Sequence, residues 1–426
     1  MDVTIKPIPL PHPYRSALAF VSDIDGSTFP SFARVLGCFY GTEPDYEGIE
    51  LELASSMWLM ARPQRGVMRN SIYALELDGV ERDFVRGRIA PFLGSALFDS
   101  IHTYGTFKGQ FERAHAERCV EYAQQHRIQP QFWTFHGSRE ETHNAVVGGP
   151  EWAGDDPDAE VYHLDLLDDL GVRYHRTPPG LDLVTGRSQH RVVDALDGRP
   201  VLVKTCHAFL SEPTDADELT VWVEELERRQ LLQVARKRIF KASDRWPDRL
   251  LTWHPELLWA QLADEVLDAA VSTGRTLYVN QHLTRSKSTF AYAEDRTRDA
   301  IRRLDELHRA QDMLVTSPAR LITFELIRDH GDHRTEVTSA GVTRLHLAER
   351  IQVDGWSTEL HEPDLDGVGF DHDGELELWF RGRPLPTTTA QLDGTRRRTF
   401  VPWSSRVAEQ RAALVEFRAT FGDDDG

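Results

Sequence analysis

The chain has 426 residues, 40 % of them hydrophobic and 27 % charged, which describes a folded globular protein long enough for a large α/β domain with a smaller partner. Its formal net charge of −19 argues against nucleic acid as a general partner, because no excess of cations exists to neutralise phosphates. Cys38, Cys119 and Cys206 form no CxxC pair, no apolar run reaches the roughly 20 residues of a membrane span, and the first residues lack the apolar core of a secretory signal. A zinc knuckle, a redox dithiol and a membrane span are therefore not expected, and a cytoplasmic location is.

Ser16–Val21 reads as a first strand, ending in Asp23-Ile24-Asp25-Gly26-Ser27. A helix over Phe29–Tyr40 follows, with Pro30 tolerated in its first turn. Ile49–Met60 and Ile72–Leu77 are strand-like or mixed, and Asp83–Phe92 has helical spacing. The run Ala96–Ile101 closes on His102-Thr103-Tyr104-Gly105. Phe111–Arg127 is helical through Phe111, Ala114, Cys119, Tyr122 and Ala123, and delivers the chain into Gln131–Phe135, which closes on His136-Gly137-Ser138. Asp158–Leu170 predicts a helix stopped at Gly171, then the short run Val172–His175. Arg199–Thr205 is a strand candidate ahead of His207; Glu218–Gln230 and Pro255–Thr273 are helical, the second ending at Gly274. The strand Thr276–Gln281 closes on His282, and Arg296–Gln311 is a further helix.

Short β-rich runs alternating with helices indicate βα units around a parallel sheet, with some six to eight such units favouring a barrel over a two-layer sandwich. Near Asp329–Arg334 the patterning changes to alternation, in Thr343–Ile351, Glu375–Phe380 and Thr399–Val401, before a helix at Val407–Thr420 and an acidic tail. The expectation is an α/β fold: an incomplete or distorted (β/α) barrel over residues 1–328, then a small antiparallel β domain with a C-terminal helix over residues 329–426.

Such folds carry their chemistry at the carboxyl ends of the strands. Two aspartates and three histidines gathered at one rim are the ingredients for metal activation of water. Asp23 and Asp25, two apart in an extended turn, can divide the work: one binds a cation and the other accepts a proton. A plain Asx-turn capping the next helix is the bland alternative.

Two families share these residues. Asp23-Ile24-Asp25-Gly26-Ser27 after an apolar strand resembles the first motif of haloacid-dehalogenase-type phosphatases, where the first aspartate is the nucleophile. Thr134 is available as that family's second element, but no later Lys with a Gly-Asp-x-x-x-Asp segment follows: Lys204 leads into Thr205-Cys206-His207. The second resemblance takes in more residues. Ala17–Gly26, His102–Thr106, Phe132–Gly137 and Leu277–His282 together resemble the polysaccharide deacetylase (NodB-type) branch of the glycoside hydrolase/deacetylase superfamily, over roughly residues 15–310.

That resemblance implies Asp23 as catalytic base, Asp25 and His102 as metal ligands and His282 as the acid. The family's second metal histidine falls at Thr106, and His136, about 34 residues after His102 and so one βα unit on, stands in for it. A carboxylate with two imidazoles suits a divalent metal, zinc first. The family's Arg-Pro-Pro-Tyr-Gly segment has only a later look-alike, Arg176-Thr177-Pro178-Pro179-Gly180. Tyr104, His143, Asn144 and Arg176 are taken as substrate-binding candidates; His175 and His207 are weaker metal candidates. The implied activity is metal-dependent removal of an N- or O-acyl group from a carbohydrate or sugar conjugate, with a nucleotide- or lipid-linked precursor favoured by the missing export signal. A non-catalytic carbohydrate binder on a degenerate barrel is the third reading, prompted by Thr106.

Overall fold

The computed structural model describes residues 4–62, 71–136, 143–146, 152–177, 190–205, 255 and 258–422. The expected helix Glu218–Gln230, together with His207 and Pro178–Gly180, lies outside them.

Strands β1 (Ile5–Pro7), β2 (Ser16–Ser22), β3 (Ser55–Met57), β4 (Met60–Ala61), β5 (Phe98–His102), β6 (Gly105–Thr106), β7 (Phe132–Thr134), β8 (Tyr174–Thr177), β9 (His190–Asp194), β10 (Pro200–Thr205), β11 (Thr276–Gln281) and β12 (Met313–Thr316) fill the first part of the chain. The architecture is mixed α/β. Its main sheet runs β11-β2-β3-β5-β7-β8-β10-β9, with β12 also paired to β2. All neighbours are parallel except β9, which returns antiparallel on β10. Because β11 takes one edge of β2, β12 and the tip of β3 share the other: Met313–Thr316 lies beside Ser16–Ala19, and Ser55 beside Ser22.

Strand pleating sends alternate residues to opposite faces. Leu18, Phe20, Ile101, Trp133, Val203 and Val279 face one core, shared with the helices Phe29–Phe39, Arg113–His126, Asp264–Thr273 and Asp295–Arg309. Ala17, Ala19, Phe132, Tyr174, Leu202 and Tyr278 face a second core, built on the helix Pro318–His330. This helix is buried almost all round, from Pro318 through Ile327 apart from Arg320. It binds three strands through polar contacts. Tyr174 Oη and Thr323 Oγ1 are 2.7 Å apart, Tyr278 Oη donates to Glu325 Oε2 at 2.9 Å, and Lys204 Nζ donates to the same oxygen at 2.7 Å. Lys204 also sits 4.1 Å from the Tyr278 ring centroid, so β11, at one end of the hydrogen-bonded order, and β10, the last parallel strand toward the other end, are brought together over Glu325. Neither β12 nor this helix is evident in the patterning, because an element buried on every side has no polar face to mark its period.

Several boundaries differ from expectation. Asp83–Phe92 gives only the helix Ala90–Leu93; Gly87 at φ +67° and Pro91 interrupt the run. Asp158–Leu170 is helical only from Leu164, because the amides of His163 and Leu164 both donate to Gly154 O instead of to a preceding turn. Gly171, at φ +93°, is the stop that was expected. Pro255–Thr273 is broken at Ala263, whose extended backbone starts the helix Asp264–Thr273 afresh. Ile72–Leu77 forms isolated bridges, at Leu75 to Met60 and Glu81, in place of a strand.

Beyond residue 330 come β13 (His333–Val337), β14 (Thr343–Leu347), β15 (Arg350–Val353), β16 (Trp356–Glu359), β17 (Gly369–Asp373), β18 (Leu376–Phe380), β19 (Arg383–Pro384), β20 (Thr388–Asp393) and β21 (Arg396–Phe400). They form the sheets β1-β17-β21-β20 and β13-β14-β18-β19 and the hairpin β15-β16. The region is not wholly antiparallel, since β14 and β18 run parallel. Both termini cross the 328/329 division. β1 pairs with β17, and the helix Val407–Phe421 returns to the first core, where Phe421 stacks on Phe29 at 4.4 Å and Phe417 meets Phe32 at 5.2 Å.

Candidate metal centre

Parallel register sets which residues meet at the carboxyl rim. Gln281 lies beside Ser22, so His282 and Asp23 leave adjacent strand tips, and Asp23 N donates to Gln281 O at 2.7 Å. Ser22 beside Ser55 brings Ser56 to Asp23, and His102 is paired with Thr134 across β5 and β7. The turn after β2 is then tied to the turn after β11. Ser286 N donates to Gly26 O at 3.0 Å, the hydroxyls of Ser27 and Thr284 are 2.6 Å apart, and Ser31 Oγ donates to Thr284 O at 2.7 Å. Gly26 adopts φ +71°, a conformation that side chains disfavour, and this lets the chain turn from Asp25 into the helix capped by Thr28.

Asp25 stands at the centre. Its Oδ1 is 3.0 Å from His102 Nε2, its Oδ2 is 3.0 Å from His136 Nε2, and His282 Nε2 is 3.5 Å from Oδ2. One atom each from Asp25, His102 and His136 lies within 4.8 Å of the others, and the same holds for Asp23, His102 and His282. Burial pushes the Asp25 carboxyl up, but the imidazoles of His102 and His136 more than reverse this and hold it well below the usual carboxylate range.

The fit to a metal ion rests on where the protons are. Thr134 Oγ1 has one hydrogen and lies 2.9 Å from Asp23 Oδ1 and 2.8 Å from His102 Nδ1. Thr134 Oγ1 donates its one hydrogen to Asp23 Oδ1, which leaves the hydroxyl oxygen to accept from His102 Nδ1–H. His102 Nε2 faces Asp25 Oδ1 at 3.0 Å, and a neutral ring with its hydrogen on Nδ1 would present this nitrogen's lone pair to a cation. Neither atom completes a hydrogen bond among the described residues, although both are buried. A divalent ion held there would give both atoms a partner. One donor atom from each of the three side chains lies within 4.8 Å of the others, so Asp25, His102 and His136 could hold a divalent ion.

Asp23 occupies the other side of His102 and is only 2 % exposed. Its Oδ1 accepts from Ser56 Oγ at 3.0 Å as well as from Thr134, and Arg176 lies 3.7 Å from its Oδ2. Arg176 is itself buried, with its guanidinium 4.8 Å from the Phe135 ring centroid. Trp58, in the turn after β3, stacks parallel to His102 at 6.3 Å and meets His136 edge-on at 6.0 Å.

Of the residues singled out in the sequence, Asp23, Asp25, His102, His136, His282 and Arg176 therefore come together. The other three lie deeper. Tyr104 and His143 are 0 % exposed, in an aromatic cluster where Tyr104 meets Trp133 at 5.3 Å and His143 stacks on Phe111 at 4.2 Å. Asn144, also 0 % exposed, holds the backbone of His136: its Oδ1 accepts from His136 N at 2.9 Å and its Nδ2 donates to His136 O at 2.8 Å. His175 is buried and lies outside both ligand sets. Thr106 follows the turn at Thr103, φ +48°, and Gly105, φ +146°, and lies in β6 beside Ala61. Ser56, Trp58 and the bridging role of Thr134 were missed by sequence reasoning; the polar step Ser55-Ser56 inside the apolar stretch Ile49–Met60 was the available signal. No protein-family model matches this chain and no curated protein is significantly similar to it, so the chemistry of the site rests on its own geometry.

Proposed function

We propose that the protein is a metal-dependent hydrolase of the NodB deacetylase type, removing an N- or O-acyl group from a carbohydrate or activated-sugar substrate. The observation that carries this reading is the convergence of Asp25, His102 and His136, with Asp23 and His282 adjoining. The contact of Lys204 with Tyr278 across the ends of the main sheet supports an incomplete or distorted (β/α) barrel as the scaffold. A divalent ion held by Asp25, His102 and His136, zinc being the first candidate, would polarise an acyl carbonyl and make water nucleophilic near neutral pH. Asp23 takes up the proton at Oδ2, its Oδ1 being engaged by Ser56 and Thr134, and Arg176 steadies the carboxylate. His282 gives a proton to the departing amine or alkoxide. The phosphatase reading needs a lysine beside Asp23, and Lys204 is instead engaged by Glu325 on the inner face of the sheet.

The experiment is chelation of the purified chain followed by reloading with Zn²⁺ or Co²⁺. Acetate release is then followed from N- and O-acetylated sugars and nucleotide sugars. Stoichiometric metal and metal-restored release are expected, with metal lost in His102→Ala and His136→Ala. Wild-type protein that takes up neither ion, or full retention of metal by both variants, overturns the reading.

A further inference from the structure

We propose that Thr134 is a positioning residue that fixes the metal-binding tautomer of His102 by joining it to Asp23, so that the carboxylate expected to move the proton also orients a ligand. The inference rests on the metal-centre reading above and extends it to a residue that never reaches the ligand set. Metal-binding histidines are commonly held through their second nitrogen by an acceptor, which fixes the ring and raises its basicity. Here the nearest carboxylate oxygen, Asp23 Oδ1, stands 3.4 Å from His102 Nδ1, while the Thr134 hydroxyl is at 2.8 Å from that nitrogen and 2.9 Å from that oxygen. The hydroxyl thus completes an Asp–Thr–His chain that the carboxylate closes only loosely by itself.

Three features make the chain directional. Thr134 is 0 % exposed and Asp23 and His102 are each 2 % exposed, so water does not compete freely for these bonds. The backbone is fixed on both sides, because His102 and Thr134 are register partners across β5 and β7 and Thr103 N donates to Thr134 O at 2.8 Å. Ser56 donates to Asp23 Oδ1 at 3.0 Å and holds that oxygen in place while contacting neither nitrogen of His102 in the described geometry. Thr134 therefore bridges the two functional side chains at shorter distances than their direct contact of 3.4 Å.

The full-length chain is stripped and titrated with Zn²⁺ by calorimetry and with Co²⁺ by its visible absorption, comparing wild type with Thr134→Val, Thr134→Ser and Ser56→Ala. Thr134→Val preserves shape and removes the hydroxyl; its metal affinity is expected to fall about 10–100-fold, the usual effect of losing such a partner. Thr134→Ser should restore most of that loss, with a Co²⁺ spectrum like the wild type, and Ser56→Ala should lose less affinity than Thr134→Val. Circular dichroism and thermal melting establish that each variant is folded; should Thr134→Val not fold, the comparison of Thr134→Ser with Ser56→Ala decides. Wild-type affinity in Thr134→Val, no rescue by serine, or a loss in Ser56→Ala as large as that in Thr134→Val overturns the positioning role. A wild-type chain that binds neither ion overturns the metal-centre reading itself, a different result from any of these.

Discussion

Asn144 and His136 are joined twice: the Asn144 carboxamide accepts from the His136 N–H at 2.9 Å and donates to the His136 C=O at 2.8 Å. A side chain that takes both backbone groups of one residue replaces the sheet pairing that the chain loses after β7 ends at Thr134. His136 is thereby held at the rim two residues beyond its strand. Asn144→Ala leaves both backbone groups without this partner, each at a cost of about 1–3 kcal/mol where water cannot enter. Lower stability in urea denaturation and weaker Zn²⁺ binding are expected together. A variant as stable as the wild type and with its metal affinity would show that Asn144 does not position His136.

The proposed hydrolase gives the two aspartates different roles. Asp23→Asn is expected to keep most of its metal and lose about 10²–10⁴-fold in turnover, because an amide does not accept the proton. Asp25→Asn removes the anionic ligand between His102 and His136 and is expected to lose metal first. Metal analysis beside initial rates decides the matter. A phosphorylated or beryllofluoride-trapped Asp23, with cleavage of phosphate esters, would favour the phosphatase reading instead.

Acid should destabilise the fold through two buried histidines away from the ligand sets. Burial lowers His163 from 6.5 to about 4 and His175 from 6.5 to about 3. The unfolded chain takes up these protons near pH 6.5 and the native chain only well below it. Their contribution is thus fully present above about pH 6.5 and is lost as pH falls toward the native values, at up to about 1.4 kcal/mol per pH unit for each group. Urea midpoints between pH 7 and pH 5 should decline, and His163→Gln should decline less steeply. The same slope in that variant would remove His163 from the account.

Gly105 is the residue on which the close approach of β6 to β4 depends. It adopts φ +146°, and a Cβ there would stand 1.6 Å from Met60 O, a backbone atom. Gly105→Ala is expected to destabilise by at least about 3 kcal/mol, through steric overlap and an unfavourable φ together. Differential scanning calorimetry gives the answer, and an unchanged Tm would contradict the close approach of β4 and β6.

Legibility followed periodicity and local chemistry. The strands before Asp23, His102 and His282 were readable because each is a short apolar run cut off by polar residues, and Gly171 and Gly274 were readable as stops because left-handed backbone favours glycine. Local sequence could also suggest that Asp25, His102 and His136 sit at strand ends. It could not say that His102 would turn Nε2 to Asp25 and Nδ1 to Thr134, since that depends on the β5–β7 register and on hydroxyl bonding.

Tyr104 and His143 show the limit from the other side. Both stand near readable motifs, yet tertiary packing buries them among aromatic rings, and residue type does not report burial. The helix Pro318–His330 and the crossing of both termini between the two parts were likewise decided only in three dimensions. A strand edge or a fully buried helix chooses its partner by shape and by long-range hydrogen bonding, whereas a strand's period and a helix's stop are written in neighbouring residues. Residue types and their spacing name the candidates for metal binding; strand register and long-range hydrogen bonds make Asp25, His102 and His136 face one another.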